Sequence, residues 1–84
     1  MLCYLQNFLT QFKINYNMIE IILNGEKTKV SNDFTLADLV NKYQLDVNKI
    51  AIEKDLEIVN PSQFNKVKLT NNCQIEIVHF IGGG

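Results

Sequence analysis

Gly82, Gly83 and Gly84 end the run HFIGGG, and they offer a chemistry that no other stretch of this sequence offers. A free α-carboxylate on Gly84, with a pKa of ~3.5, is fully ionised at neutral pH and is an available nucleophile. Glycine has no Cβ, so a tail of this kind threads a narrow channel and accepts backbone angles that other residues refuse. The glycines follow directly on the apolar run CQIEIVHF, so they are expected to hang off a strand and not off a linker. The chain has no phosphate-binding loop, and the glycine-rich stretch leads into no helix, so any activation of that carboxylate must come in trans. A frayed, functionless end is the competing expectation, since termini are commonly disordered.

The remaining reactive side chains are sparse. His79 is the one histidine, and a single strand histidine is expected to be surface or packing. Cys3 and Cys73 stand far apart in no CxxC spacing, too few for a four-thiolate cluster and, with one histidine, for a Cys/His zinc site. Cys73 has no base near it in sequence and is expected to be inert. There is no HExxH and no Walker loop, and the acidic residues are scattered as on a solvated surface. No catalytic residue, metal or cofactor is expected. Net charge is −1 and all eight basic residues are lysines, so nucleic acid is not an expected partner, and no guanidinium is present to fork onto phosphate. No apolar run approaches the ~18 residues of a membrane span.

Eighty-four residues allow one domain to hold these groups. Residues 1–17 differ from the rest: Leu2, Leu5, Leu9, Phe12 and Tyr16 recur near a helical period, with no Gly, Pro, Asp or Glu between them. They are expected to be an extension not needed by the core, with a docking helix or targeting piece as the other reading. From Met18 the pattern sharpens. IEIIL and the run to Val30 read as two strands, joined at Asn24-Gly25, a pair suited to a tight I′ hairpin turn. SNDFTLADLVNKYQL reads as a helix, with Thr35 as N-cap, Asp38 closing a capping box, and Phe34 and Leu39 at the spacing of a hydrophobic staple. Leu36, Leu39, Val40 and Tyr43 form its apolar stripe. A third strand carries Ile50 and Ile52, and LEIVNP gives a fourth that Pro61 stops. Pro61 to Phe64 has the form of a helical turn, Asn71-Asn72 is a turn, and CQIEIVHF is the last strand. The order β-β-α-β-β-β predicts an α+β domain with its helix packed on one sheet face. Periodicity leaves the strand order open.

Residues 18–84 resemble the ubiquitin-like β-grasp proteins, and among them the sulfur carriers of thiamine biosynthesis. The resemblance rests on MIEIILNGEKTKV, on TLADLV opening the helix, on IVNPSQF, and above all on IEIVHFIGGG. It implies a mixed sheet with one main helix on one face. It also implies that the Gly84 carboxylate is adenylated by a separate ATP-using enzyme, and that sulfur from a persulfide-bearing enzyme displaces AMP to leave a thiocarboxylate. Thiazole synthase would then take that sulfur for the thiazole ring of thiamine. Gly82 and Gly83 would thread the partner sites. The implied location is the cytoplasm, or the plastid stroma in a photosynthetic eukaryote. A related carrier for molybdopterin, or a ubiquitin-related modifier, is the alternative within the fold. The extension 1–17 departs from the usual pattern, and IVNPSQF has Asn and Gln where charged residues or tryptophan are common.

A docking surface follows from parity. Ile19, Ile21 and Leu23 on the first strand, and Ile75 and Ile77 on the last, are expected to face the helix. Alternation turns Ile22, Val78 and Phe80 to the opposite face. The resemblance makes the first and last strands neighbours, so these side chains, with Ile81 beyond them, are expected to form one apolar patch that docks the adenylating enzyme.

Overall fold

A computed structural model describes residues 17–80. The helical pattern expected in the extension, Ile81 and the three terminal glycines therefore lie outside the described residues. The elements are β1 (Met18–Leu23), β2 (Glu26–Ser31), α1 (Leu36–Lys42), β3 (Ile50–Lys54), β4 (Glu57–Ile58) and β5 (Gln74–His79), with 3-10 turns at Val47–Lys49 and Pro61–Gln63. The strand order is β2-β1-β5-β3-β4. β1 and β5 run parallel at the centre, and every other pairing is antiparallel.

The first hairpin forms as its sequence predicts. Asn24 and Gly25 both take positive φ, 49° and 83°, which matches the turn to the twist of the strands it joins. A second hairpin of the same kind joins β3 to β4 through Asp55 and Leu56, at φ 50° and 74°. Sequence patterning gave no sign of it, because leucine is among the residues that the left-handed region penalises. The same penalty hid the end of the helix. α1 closes with Gln44, not glycine, at φ 53°; the Leu45 N–H donates to the Val40 carbonyl and the Gln44 N–H to the Asn41 carbonyl, the paired bonds of a Schellman stop. Its start is as expected. Thr35 Oγ1 accepts from the Asp38 N–H at 3.1 Å, and Asp38 Oδ2 accepts from the Thr35 N–H at 2.9 Å.

One cluster of buried residues forms the core. Ile21 and Val30 come from the first hairpin, Leu36, Leu39 and Val40 from α1, Ile50 and Ile52 from β3, and Ile75 from β5. Phe64, Leu69 and Cys73 come from the connections. Ile19, Leu23, Phe34 and Ile77 pack against its margin. The inward parity of β1 and β5 is thus the one that alternation predicts. Tyr43 departs from the expected stripe. It falls at the helix C-cap, where the chain turns out of the helical period, and it stays 43% exposed.

Candidate functional site

β5 is the stem that carries residues 81–84, and its two edges are not equivalent. On one side β3 accompanies it to its end: His79 lies opposite Ile50, and the Phe80 N–H donates to the Lys49 carbonyl at 2.8 Å. On the other side β1 leaves early. Ile22 lies opposite Gln74 and Leu23 opposite Ile75, and then the chain turns at Asn24. Asn24 completes two more bonds as it turns, its N–H donating to the Ile75 carbonyl at 2.8 Å and its Oδ1 accepting from the Ile77 N–H at 2.8 Å. Beyond that point β5 overhangs its neighbour. Asp55 does the same work at the start of β5 on the β3 side. Its N–H donates to the Gln74 carbonyl at 2.7 Å and its Oδ1 accepts from the Gln74 N–H at 2.9 Å. That N–H, helped by the Lys54 ammonium 3.2 Å from Oδ2, holds the Asp55 carboxyl below its usual 3.8 against a weaker desolvation effect.

The expected docking residues divide along this stem. Val78 and Phe80 are 50% and 56% exposed on the face away from α1, at the tail end of β5. Val78 lies opposite Ala51 of β3. Ile22 points to the same face but does not join them, which corrects the expectation of one patch. Its register partner is Gln74, four residues before Val78, or roughly 13 Å away along the strand at ~3.3 Å per residue. Parity was sound; what failed was register, since β1 ends where β5 has hardly begun.

On the helix side, beside the overhang, lies a groove of about 510 Å³ lined by Leu23, Asn24, Glu26, Thr28, Tyr43, Leu45, Ile77 and His79. The two capping motifs build it: the hairpin turn ends β1 short, and the Schellman stop swings Leu45 inward while leaving Tyr43 at the rim. The expected apolar stripe points Tyr43 inward, whereas its place at the helix C-cap leaves it lining this groove. Cys73 is a free, buried thiol whose carbonyl accepts from the Ile22 N–H, consistent with a packing role. Among the described residues there is no group of three side chains placed to hold a metal ion, and no helix long and apolar enough to cross a membrane.

Among the described residues, a five-stranded mixed sheet crossed by one helix, with β5 central and running out beyond β1, defines a ubiquitin-like β-grasp domain. The model of the ThiS family matches residues 12–84, and the chain belongs to that family of sulfur carrier proteins. It is 40% identical over 63 residues to the sulfur carrier protein ThiS of Bacillus subtilis, covering 74% of this chain and 96% of that protein. It is 36% identical over 66 residues to a thiazole synthase of Paramagnetospirillum magneticum, covering 79% of this chain but a fifth of the synthase. The crystal structure of a thiamine biosynthesis protein (ThiS) from Geobacter metallireducens superposes with a TM-score of 0.69 at 17% identity, covering 79% of this chain and all of that one, which establishes the shared fold.

Proposed function

We propose that this chain is a protein co-substrate that carries sulfur, as a thiocarboxylate on Gly84, to the enzyme that builds the thiazole ring of thiamine. The carboxylate attacks the α-phosphorus of ATP in the site of a separate adenylating enzyme, and pyrophosphate leaves. Sulfur from a persulfide on a donor enzyme then displaces AMP at the acyl carbon, and reduction of the resulting acyl disulfide by a thiol frees the thiocarboxylate. Gly82 and Gly83 let the tail enter those sites without side-chain clashes. The observation that carries the reading is the family match through Gly84 on a stem whose tail end overhangs its neighbour. The relatives named thiazole synthase, a fifth of whose length this chain spans, support thiazole synthase as the recipient of the sulfur, because carrier-like and synthase sequence share one chain there. Work of this kind suits the cytoplasm or a plastid stroma. The test is intact mass spectrometry after incubation with the adenylating enzyme, ATP and a persulfide source. One oxygen replaced by sulfur is expected on the full chain and not on a variant lacking Gly84. A variant without Gly84 that still forms AMP would refute it.

Val78 and Phe80 serve, in this reading, to dock the adenylating enzyme, with Ile81 beyond them. Phe80 is the larger anchor, since exposed aromatics beside a reacting tail bury the most area on binding. Phe80→Ala is expected to weaken binding by ~1–3 kcal/mol in a calorimetric titration, with an unchanged thermal melt. Ile22→Ala, on the same face but off the tail end, is expected to change affinity little.

A further inference from the structure

The open edge of β5 carries a second demand on whatever receives the tail. Backbone direction alternates along a strand, and the Phe80 bond to Lys49 fixes the phase: Val78 and Phe80 aim their N–H and C=O groups at β3, while Ile75, Ile77 and His79 aim theirs toward β1. The Ile75 carbonyl and the Ile77 N–H are taken by Asn24. The Ile77 carbonyl and the His79 N–H have no backbone or side-chain partner among the described residues, because β1 has already turned away. The two groups sit at strand spacing, in the lane β1 vacates, directly beside the groove floored by Leu23, Leu45 and Ile77. Unpaired strand edges of this kind are templates for a further strand.

We propose that an extended strand of the adenylating enzyme pairs with the Ile77–His79 edge of β5, in the lane left by β1, and seats one apolar or aromatic side chain in the groove between Tyr43 and His79. This rests on the carrier reading. Chain length supports the occupant: four residues, 81–84, follow Phe80, and they span at most roughly 14 Å. The enzyme that reaches the Gly84 carboxylate must therefore surround the end of β5, and its polypeptide is the nearest available partner for the open groups. Strand addition supplies main-chain bonds that fix the direction of the stem, and an alternate side-chain pocket supplies selectivity. The Val78 and Phe80 face and this edge are then two sides of one grip on the stem.

The natural Cys73 permits the test. A thioester of residues 1–72 is ligated to a synthetic peptide of residues 73–84 that carries N-methyl His79, which removes the open N–H and blocks the lane without touching the bonds to β3. Binding to the adenylating enzyme is expected to fall about tenfold or more relative to the ligated chain without the N-methyl group. In the unmodified full chain the His79 amide is expected to exchange its hydrogen fast when free and slowly in the complex, a readout that does not depend on how well the methylated chain folds. Equal affinity of the methylated chain, or a His79 amide equally exposed in the complex, overturns the proposal. So does an amide protected in the free chain that becomes exposed on removal of residues 1–17 or on dilution, which would assign the edge to this chain's own extension or to a second copy. Failure of the unmodified chain to gain sulfur would instead overturn the carrier reading beneath it.

Discussion

The two hairpin turns of this domain have the same backbone and the same task but opposite legibility. Asn24-Gly25 and Asp55-Leu56 both place two residues at positive φ, and in both the first residue reaches β5 with an N–H and a side-chain oxygen. Asn24 extends the ladder after β1 has stopped, and Asp55 extends it where β3 has turned away. β5 is thus stapled at two points by side chains imitating a strand. The difference lies in the second turn position. Glycine is at ease at a φ of 83°, and adding a Cβ there would meet nothing within 4 Å, so at Gly25 the constraint is backbone conformation alone. Leu56 sits at a φ of 74° and is 81% exposed, holding a disfavoured conformation while burying little area in return. A turn can therefore be dictated by the strands on either side of it even when its own residues resist.

The largest effect should come from the turn that does both jobs. Asn24→Ala forces an alanine to positive φ and strands the Ile77 N–H, and about 2 kcal/mol of stability should be lost, a fall of about 10 °C in the melting midpoint. Asn24→Gly removes the staple but keeps the conformation easy, and about half of that loss is expected. Equal losses in a calorimetric scan would mean that the positive φ at position 24 costs alanine nothing, and an unchanged stability of Asn24→Gly would mean that the Oδ1 bond contributes nothing. Next comes Leu56→Gly, which relieves the strain at an exposed site. A gain of about 1 kcal/mol is expected in urea unfolding, reduced by the greater freedom of glycine in the unfolded chain. A loss would show that Leu56 makes a contact that its exposure hides, and would break the comparison.

The smallest effect separates the two staples by charge. Asp55 has its carboxyl lowered below 3.8 by the Gln74 N–H, so its folded form holds the proton less tightly than its unfolded form. The stability this lends is present above 3.8 and is lost as pH falls through the folded value. Asp55→Asn keeps an acceptor oxygen and loses the charge. The variant should be slightly less stable than the parent at neutral pH and should draw level with it in strong acid. Because the side chain is 52% exposed, the gap should be modest and should shrink in salt. A gap that widens toward low pH would reverse the assigned sign.

What the sequence made legible follows the same division. Where a local preference and the fold agree, the residues announce the structure: Asn24-Gly25 the turn, Thr35 and Asp38 the helix start, Ile21 and Ile75 the inward faces. Where neighbours override preference, they do not. Gln44 and Leu56 occupy left-handed positions that composition argues against, so the end of α1 and the β3–β4 turn were both obscure. The site shows the same limit at longer range. Alternation put Val78 and Phe80 on the right face, but period two carries no information on register, and register alone decides that Ile22 stands apart and that β5 overhangs β1. The groove depends on both hidden features and was invisible for that reason.

The parallel pairing of β1 with β5 also sets a timetable. Asn24 and Ile77, bonded across the centre of the sheet, are 53 positions apart in sequence. During synthesis β1, β2, α1, β3 and β4 all emerge before the strand that belongs between them, and until it arrives the lane between β1 and β3 is empty. Closing a loop of that length before any central contact forms is slow. The element that completes the fold is the same one that leads into the glycines. A nascent chain cut short of β5 therefore has no closed sheet, because the strand between β1 and β3 is missing.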